Sequence, residues 1–450
     1  MTREKWLYLE TFGCQMNVSD SEKIIALLKG TGYHPTPDIS YADLIILNTC
    51  SVRAKAEEKV YNHLTQLKGR KRKKRDLILG VGGCVAQQEG ARLLANVPHL
   101  NFVFGTHNLH LLPEMVRAAE RGERQAEVGF IDNDERLDLF PVADRVDAIT
   151  RFVTVMQGCD NFCSYCIVPY VRGREISRRS GDILAEIAAL TATGVREVNL
   201  LGQNVNSYGL KSPGEMDFPT LLRKVAEVPG IERIRFTTSH PKDISLPLIE
   251  CFAELPKLCK HMHLPAQAGS NAVLAAMNRG YSREEYLKTI TALKRACPSI
   301  RFTGDMIVGF PGETEEDFRA TLSLMEEVRY DDLFSFIYSK RPETKAADYA
   351  DPVGFTEKQE RLRRLQSLQQ RITEENNKSL VGTVQEVLIE GESRREGQFY
   401  GRTSGNRVVN FSADLPPVGS IVDVVITRAN RNSLLGELTA VKAAGQKAEG

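Results

Sequence analysis

RFVTVMQGCDNFCSYC, residues 151–166, reads as an apolar strand running into a loop with three cysteines. Similar strand-like runs recur at 197–204 (EVNLLGQN), 233–240 (RIRFTTSH), 261–267 (HMHLPAQ), 301–310 (RFTGDMIVGF) and 333–339 (LFSFIYS). Helical patterns such as GDILAEIAALTATG and SREEYLKTITALKRAC separate them. Six βα units predict a partial (β/α)6 barrel over 149–377, with the active site on the loops after the strands. Cys159, Cys163 and Cys166 fall on that face. Three thiols are one short of a structural zinc site, and no fourth Cys or His stands nearby. Cubane iron–sulfur clusters are usually held by four thiolates, so three leave one iron open to chelate a small molecule.

Upstream, over 1–125, three strand-like runs each end at a cysteine: WLYLETFGC (6–14), ADLIILNTC (42–50) and DLILGVGGC (76–84). A helical pattern follows each. SDSE (19–22) has capping-box spacing before KIIALLKG, a second helix starts near Ala54, and AQQEGARLLA is the third. This repeat predicts a parallel α/β sandwich, in which the carboxyl ends of the strands share one edge. Cys14, Cys50 and Cys84 are therefore expected close together. Residues 126–148, acidic and without period, read as a linker.

Downstream, 378–441 holds short β-branched runs between Gly, Asn and Pro, the pattern of a small antiparallel β-barrel. Residues 442–450 read as a flexible tail. The overall fold class is α/β, with this β-barrel at the C-terminus. Arg394, Arg395, Arg402, Arg407, Arg428 and Arg431 interleave with Phe399, Tyr400 and Phe411, which suits a nucleic-acid surface. The competing reading is core aromatics with ordinary surface arginines. KGRKRKKR (68–75) and Arg172, Arg174, Arg178 and Arg179 form two further basic clusters that attract polyanions; for 68–75 the competing reading is a solvated helix end after AKAEEKVYNHLTQL, where cations suit the C-terminal dipole.

The chain has 450 residues, too many for one core, and a net charge of +1 that selects no partner. MTREKWLYLE has no apolar signal region, and no run of about 18 apolar residues could span a membrane. A cytoplasmic location is expected, where nine cysteines point to metal or catalytic roles more than to disulfides. Cys251, Cys259, His261 and His263 match no common zinc spacing and are expected to pack, as is Cys297.

CxxxCxxC in the first loop of a six-unit barrel resembles the radical S-adenosylmethionine (SAM) enzymes. The whole chain resembles their methylthiotransferase subgroup, whose C-terminal barrel is of the TRAM type. TFGCQMNVSDSE, LNTCSVRAKAEEKVY, GCDNFCSYCIVPYVRGREISR, LLGQNVNSYG, RFTTSHP, HLPAQAGS and GDMIVGFPGET look closest to its tRNA branch. The resemblance implies a [4Fe-4S] cluster on Cys159, Cys163 and Cys166 that binds SAM. It implies a second, auxiliary [4Fe-4S] cluster on Cys14, Cys50 and Cys84, with sulfide or polysulfide at its open iron. Tyr165 occupies the position beside the SAM adenine. Gly202, Gln203 and Asn204 follow the second strand, where the family contacts the SAM amino group. Gln267 and Asp305 end later strands on the same face.

No side chain is assigned as catalytic, because the clusters and SAM carry the chemistry. The implied reaction places a methylthio group on C2 of N6-isopentenyladenosine at position 37 of tRNA, using two SAM per turnover. Implied partners are the tRNA anticodon stem-loop and a small flavodoxin- or ferredoxin-like electron donor. The protein is expected to be a monomer with no membrane contact. The sequence departs from the family at Glu343 and Lys345, where Gly and Pro are common, and at Ala266 and Ala268, where Val and Ser are usual. Two other readings compete. One is methylthiolation of threonylcarbamoyladenosine or of a ribosomal-protein aspartate. The other is a non-catalytic RNA-binding metalloprotein.

Overall fold

The computed structural model describes residues 4–51, 56–131, 148–393, 395, 397–413 and 418–441. The helix start near Ala54, most of the expected linker, the tail 442–450 and Arg394 lie outside the described residues.

The N-terminal domain is one six-stranded sheet: β1 (Lys5–Thr11), β2 (Tyr33–Pro35), β3 (Leu44–Thr49), β4 (Ile78–Gly83), β5 (Phe102–Phe104) and β6 (Gln125–Glu127). Its order is β2-β1-β3-β4-β5-β6, and every pair is parallel. β3 and β4 are buried along their whole length because helices cover both faces. Leu44 and Ile46 enter one core, while Ile45 and Leu47 enter the other.

The helix after β1, α1, spans Gln15–Lys29 with Cys14 as its N-cap. SDSE is therefore mid-helix, and the expected capping box is not there. Asn17, Ser19, Asp20 and Ser21 are buried: Ser19 and Asp20 meet the next domain, Ser21 bonds Thr11 and Asn48 of its own sheet, and Asn17 does both. Ser19 Oγ lies 3.2 Å from Thr154 Oγ1, and Glu22 pairs with the buried Arg151 at 3.2 Å.

The central domain has six parallel strands in two linked halves. β7 (Thr150–Thr154), β10 (Glu197–Leu201) and β11 (Arg233–Thr237) form one half. β12 (His261–His263), β13 (Arg301–Val308) and β14 (Asp332–Ile337) form the other. An isolated parallel bridge, Ile234–Leu258, joins the halves. Among the described residues β7 and β14 do not pair, so the barrel is partial. The short strands β8 (Met156–Gln157) and β9 (Ile176–Ser177) pair beside the cysteine loop.

The C-terminal domain closes five strands into a barrel: β15 (Val384–Glu392), β16 (Gln398–Thr403), β17 (Val408–Ser412), β18 (Ile421–Ala429) and β19 (Leu434–Val441). All its pairs are antiparallel except β17–β19. Its 402–407 turn sits under the amino ends of the central strands. Arg233 and Arg235 donate to the Arg402, Thr403 and Ser404 carbonyls, and Arg407 pairs with Asp331 at 2.8 Å. The small barrel thus lies at the end opposite the cysteine loop.

Candidate active site

The N-terminal cysteines stand where parallel-sheet geometry puts them, at the carboxyl ends of the adjacent strands β1, β3 and β4. Gly13 has φ +102°, and a Cβ there would lie 2.5 Å from Cys50 Sγ. The bare glycine lets the Cys14 loop close on Cys50. Asn17 Nδ2 donates to the Phe12 and Thr49 carbonyls at 2.8 and 2.9 Å, pinning the two loops. Thr49 Oγ1 donates to the Gly82 carbonyl at 2.6 Å, which ties in the Cys84 turn. The Cys14 thiol is lowered to about 6, chiefly by its hydrogen bond with Cys50, against the opposing cost of burial. Burial pushes the Cys84 thiol up, partly offset by Arg172. Cys84 packs on Ile167 and Val171, so this trio lies against the segment that follows Cys166.

The second trio is fixed by backbone bonds. Cys166 N donates to the Cys163 carbonyl at 2.9 Å, Ser164 N to Met277 O at 3.0 Å, and Ala346 N to Ser164 O at 2.7 Å. Gly158 N donates to Gln203 Oε1 at 2.6 Å. Burial raises Cys159 to about 11 and, together with the neighbouring Cys163 and Cys159 thiols, raises Cys166 to about 12. Among the described residues no three His, Cys, Asp or Glu side chains converge on a single-ion site. A tetrahedral zinc, with Zn–S near 2.3 Å, draws its sulfurs to within about 4 Å of one another. A cubane instead takes each thiolate on a different iron.

Two residues beside this loop had no role in the sequence reading. Arg279 is 4% exposed and donates to Cys163 Sγ at 3.2 Å and to the Pro265 carbonyl at 2.8 Å. His240 Nε2 lies 3.9 Å from the same sulfur, and burial with Arg279 nearby lowers it to about 2, so it is neutral. The only available signals were an isolated Arg in MNRGYS and the His of TTSHP.

The remaining expected residues line one end of the barrel except Asp305, which lies inside β13 and not at its end. Tyr165 is half-buried, with its hydroxyl 3.5 Å from Arg279. Gly202 N donates to the Thr237 carbonyl at 3.1 Å. Asn204 is buried and occupied: Nδ2 donates to Asp243 at 2.8 Å, and Oδ1 accepts from His240 N at 3.1 Å. Gln267, at φ +75°, bridges to β13 through backbone bonds with Asp305 and Ile307. Asp305 faces His263 across 3.7 Å. His263 and His261 both bond Thr303 Oγ1 at 3.0 Å, so these histidines belong to the barrel interior.

Several phosphate-contact expectations need correction. Arg172 is buried against Asp20, and Arg178 pairs with Glu186. Phe399 and Phe411 sit in the core of the small barrel, as their inward alternation with the pleat requires. Arg402 pairs with Glu390, and Arg407 with Asp331. The 68–75 block is not among these corrections: it ends the helix Ala56–Lys73 (α2) and the turn after it, and most of it is exposed.

Three family models match the chain: Uncharacterized protein family UPF0004 over 6–105, Radical SAM superfamily over 153–325, and TRAM domain over 378–439. The tRNA-2-methylthio-N(6)-dimethylallyladenosine synthase of Geotalea uraniireducens (strain Rf4) is 79% identical over 97% of this chain and 100% of its own. The enzyme of that name from Geobacter sulfurreducens is 68% identical over 98% of this chain and 99% of its own. The chain belongs to the tRNA-2-methylthio-N(6)-dimethylallyladenosine synthase family. It is thus a radical SAM methylthiotransferase with a C-terminal TRAM barrel, and membership implies iron–sulfur and SAM binding. Among solved structures, the radical SAM methyltransferase TsrM from Kitasatospora setae shares the fold with TM-score 0.57, 14% identity, and 77% and 74% of the two chains covered. The cobalamin-dependent SAM radical enzyme OxsB does so with TM-score 0.51, 13% identity, and 76% and 54% covered. Among the described residues no helix is long and apolar enough to cross a membrane.

Proposed function

We propose that the protein installs the 2-methylthio group on N6-dimethylallyladenosine at position 37 of tRNA. The observation that carries this reading is the gathering of Cys14, Cys50 and Cys84 at one sheet edge, against the segment after Cys166, in a chain so close to synthases of that name. The donor sets suit two cubanes with one open iron each: three thiols per site, plus the partnerless buried hydroxyls of Ser51, next to Cys50, and of Ser239, next to the His240 that flanks Cys163. Cys159, Cys163 and Cys166 would hold the SAM-binding cluster, and Cys14, Cys50 and Cys84 the auxiliary one with its sulfide or polysulfide.

When bound, the clusters and two SAM per turnover supply the radical, the methyl group and the sulfur. The chain's own residues fix, shield and orient. Gln203 holds the backbone just before Cys159, and Arg279 and the neutral His240 flank Cys163. Tyr165, Gly202, Gln203, Asn204, Gln267 and Asp305 would contact SAM. Since the Asn204 amide is committed to Asp243 and His240, and Gln203 Oε1 to Gly158 N, contacts at 202–204 fall first to Gln203 Nε2 and the backbone. Domain limits of 1–125, 126–148, 149–377, 378–441 and 442–450 are proposed for this division of labour, with one correction: β6 carries the N-terminal sheet past 125 to Glu127, because it pairs with β5.

The base sits in an RNA loop and must be exposed or splayed out to reach the site. The TRAM barrel, at the far end of the central strands, would grip the anticodon stem-loop from that side. A flavodoxin- or ferredoxin-like donor, a monomeric state and a cytoplasmic location complete the proposal. Nucleoside analysis of tRNA from a deletion strain tests it: 2-methylthio-isopentenyladenosine should vanish and isopentenyladenosine accumulate. Unchanged levels would refute the substrate, and loss of the threonylcarbamoyl analogue instead would move the enzyme to that branch.

A further inference from the structure

One buried charge has no task in the scheme above. Arg172 ends the short helix Val168–Arg172, six residues after Cys166, and by sequence belongs to the central barrel. Its side chain is nonetheless spent on the N-terminal domain. It is 2% exposed. Nη1 pairs with Asp20 at 2.8 Å, and Nη2 donates to Asn17 Oδ1 at 2.8 Å. The guanidinium also favours the ionised Cys84 and Cys14 thiols electrostatically, and Lys23 on α1 is a further cation that feels it. Asn17 in turn holds the carbonyls of Phe12 and Thr49, beside the Cys14 and Cys50 loops. One side chain thereby reaches all three cysteine loops. Its own backbone is clamped as well: Thr106 Oγ1 donates to the Val171 carbonyl at 2.6 Å, and His107 Nε2 lies 3.0 Å from that of Arg172.

Three thiolates in a pocket shielded from water repel one another and lose hydration. A guanidinium stays charged at any working pH, and its planar fork can serve several anions at once. Groups around metal ligands fix ligand orientation and tune the site, and N–H···S bonds and nearby charge set cluster potentials.

We propose that the auxiliary site is a two-domain site, in which Arg172 of the barrel is a positioning residue that holds the three cysteine loops together and supplies their compensating charge. This rests on the reading that Cys14, Cys50 and Cys84 hold a cluster. Placed six residues from Cys166, the same arginine also makes assembly of the auxiliary site depend on correct docking of the SAM-binding loop.

The test uses the full chain with Cys159, Cys163 and Cys166 changed to Ala, so that one cluster remains, reconstituted anaerobically with iron and sulfide. This parent should hold about four irons. Arg172→Met in this background should hold less than half the parent's iron, and the remaining cluster should titrate at a lower midpoint potential by electron paramagnetic resonance. Arg172→Lys, which keeps the charge without the fork, should recover most of the potential and part of the iron. Because Arg172→Met strands a buried Asp20, the double variant Asp20→Asn with Arg172→Met is included, and it should stay iron-poor even if its melting temperature recovers. Parental iron in that double variant, or parental iron and potential in Arg172→Met, would overturn the inference alone. A parent that binds no iron would overturn the cluster reading and the inference with it.

Discussion

Gly13→Ala isolates the auxiliary cage in one methyl group. Gly13 has φ +102°, and the new carbon would stand 2.5 Å from Cys50 Sγ and closer still to its Cβ. The Cβ is the root of the Cys50 side chain and cannot swing away. Nor can the backbone beneath it retreat, because β3 is paired on both sides, to β1 and β4. The backbone conformation costs a non-glycine residue about 1–3 kcal/mol, and overpacking adds about 1–3 kcal/mol. A domain stable by about 5–15 kcal/mol survives that sum, but the Phe12–Cys14 loop must shift to relieve it. Cys14 then leaves the trio. The expected result after anaerobic reconstitution is a fall from about eight irons per chain to about four, with the Cys159 cluster kept. Gly122→Ala is the control. Its φ is +84° with nothing within 4 Å of the added carbon, so it carries the backbone cost without the clash and should keep all the iron. Full iron in Gly13→Ala at an unchanged melting temperature would refute the claim that this contact shapes the cage.

Three further outcomes follow from the same geometry. Arg235→Met should destabilise the chain by about 3–5 kcal/mol in urea unfolding, since it leaves the 2%-exposed Glu197 unpaired and frees the Thr403 and Ser404 carbonyls; it should also speed proteolysis near the start of the small barrel. Glu343→Gly should raise stability by up to about 1 kcal/mol in the same assay, because Glu343 sits exposed at φ +66° and the relief of left-handed strain outweighs the lost chain stiffness. In metal-free protein at neutral pH, iodoacetamide should label Cys14 first, its thiol lying near 6 and mostly ionised, whereas Cys159 and Cys166, near 11 and 12, stay protonated and slow until the pH passes those values; mass spectrometry of the adducts gives the order.

Strand positions were legible because period and burial agree. LIIL (44–47) and LILGV (77–81) are continuous apolar runs, as strands covered on both faces require, and the ends of these strands fixed where Cys50 and Cys84 would lie. The cysteine spacing at 159–166 was equally plain. What stayed hidden was contact between domains. SDSE carries the residue types of a helix start, and only a packed neighbour reveals that Ser19, Asp20 and Ser21 are buried in mid-helix. Arg172 looks like any surface arginine, because side-chain identity does not say which face of a short helix meets another domain, and Arg178 is taken by Glu186 of its own domain. Phe399 and Phe411 alternate with arginines, and that alternation describes a two-faced strand as well as it describes an RNA platform.

The misreadings of SDSE and Arg172 share one cause, and it bears on how the enzyme is built. A pocket for an anionic cluster between domains has to be lined with cations and hydrogen-bonding groups, so its walls carry the composition of a solvated surface. The polar face of α1 is such a wall: Asn17, Asp20 and Glu22 take Arg172 and Arg151 from the barrel. Cut apart, each domain would expose half of a charge network, and removing either partner of a buried pair costs more than the pair itself contributes. The interface therefore ties the two cysteine trios into one folding unit, and the placement of one trio follows from the placement of the other.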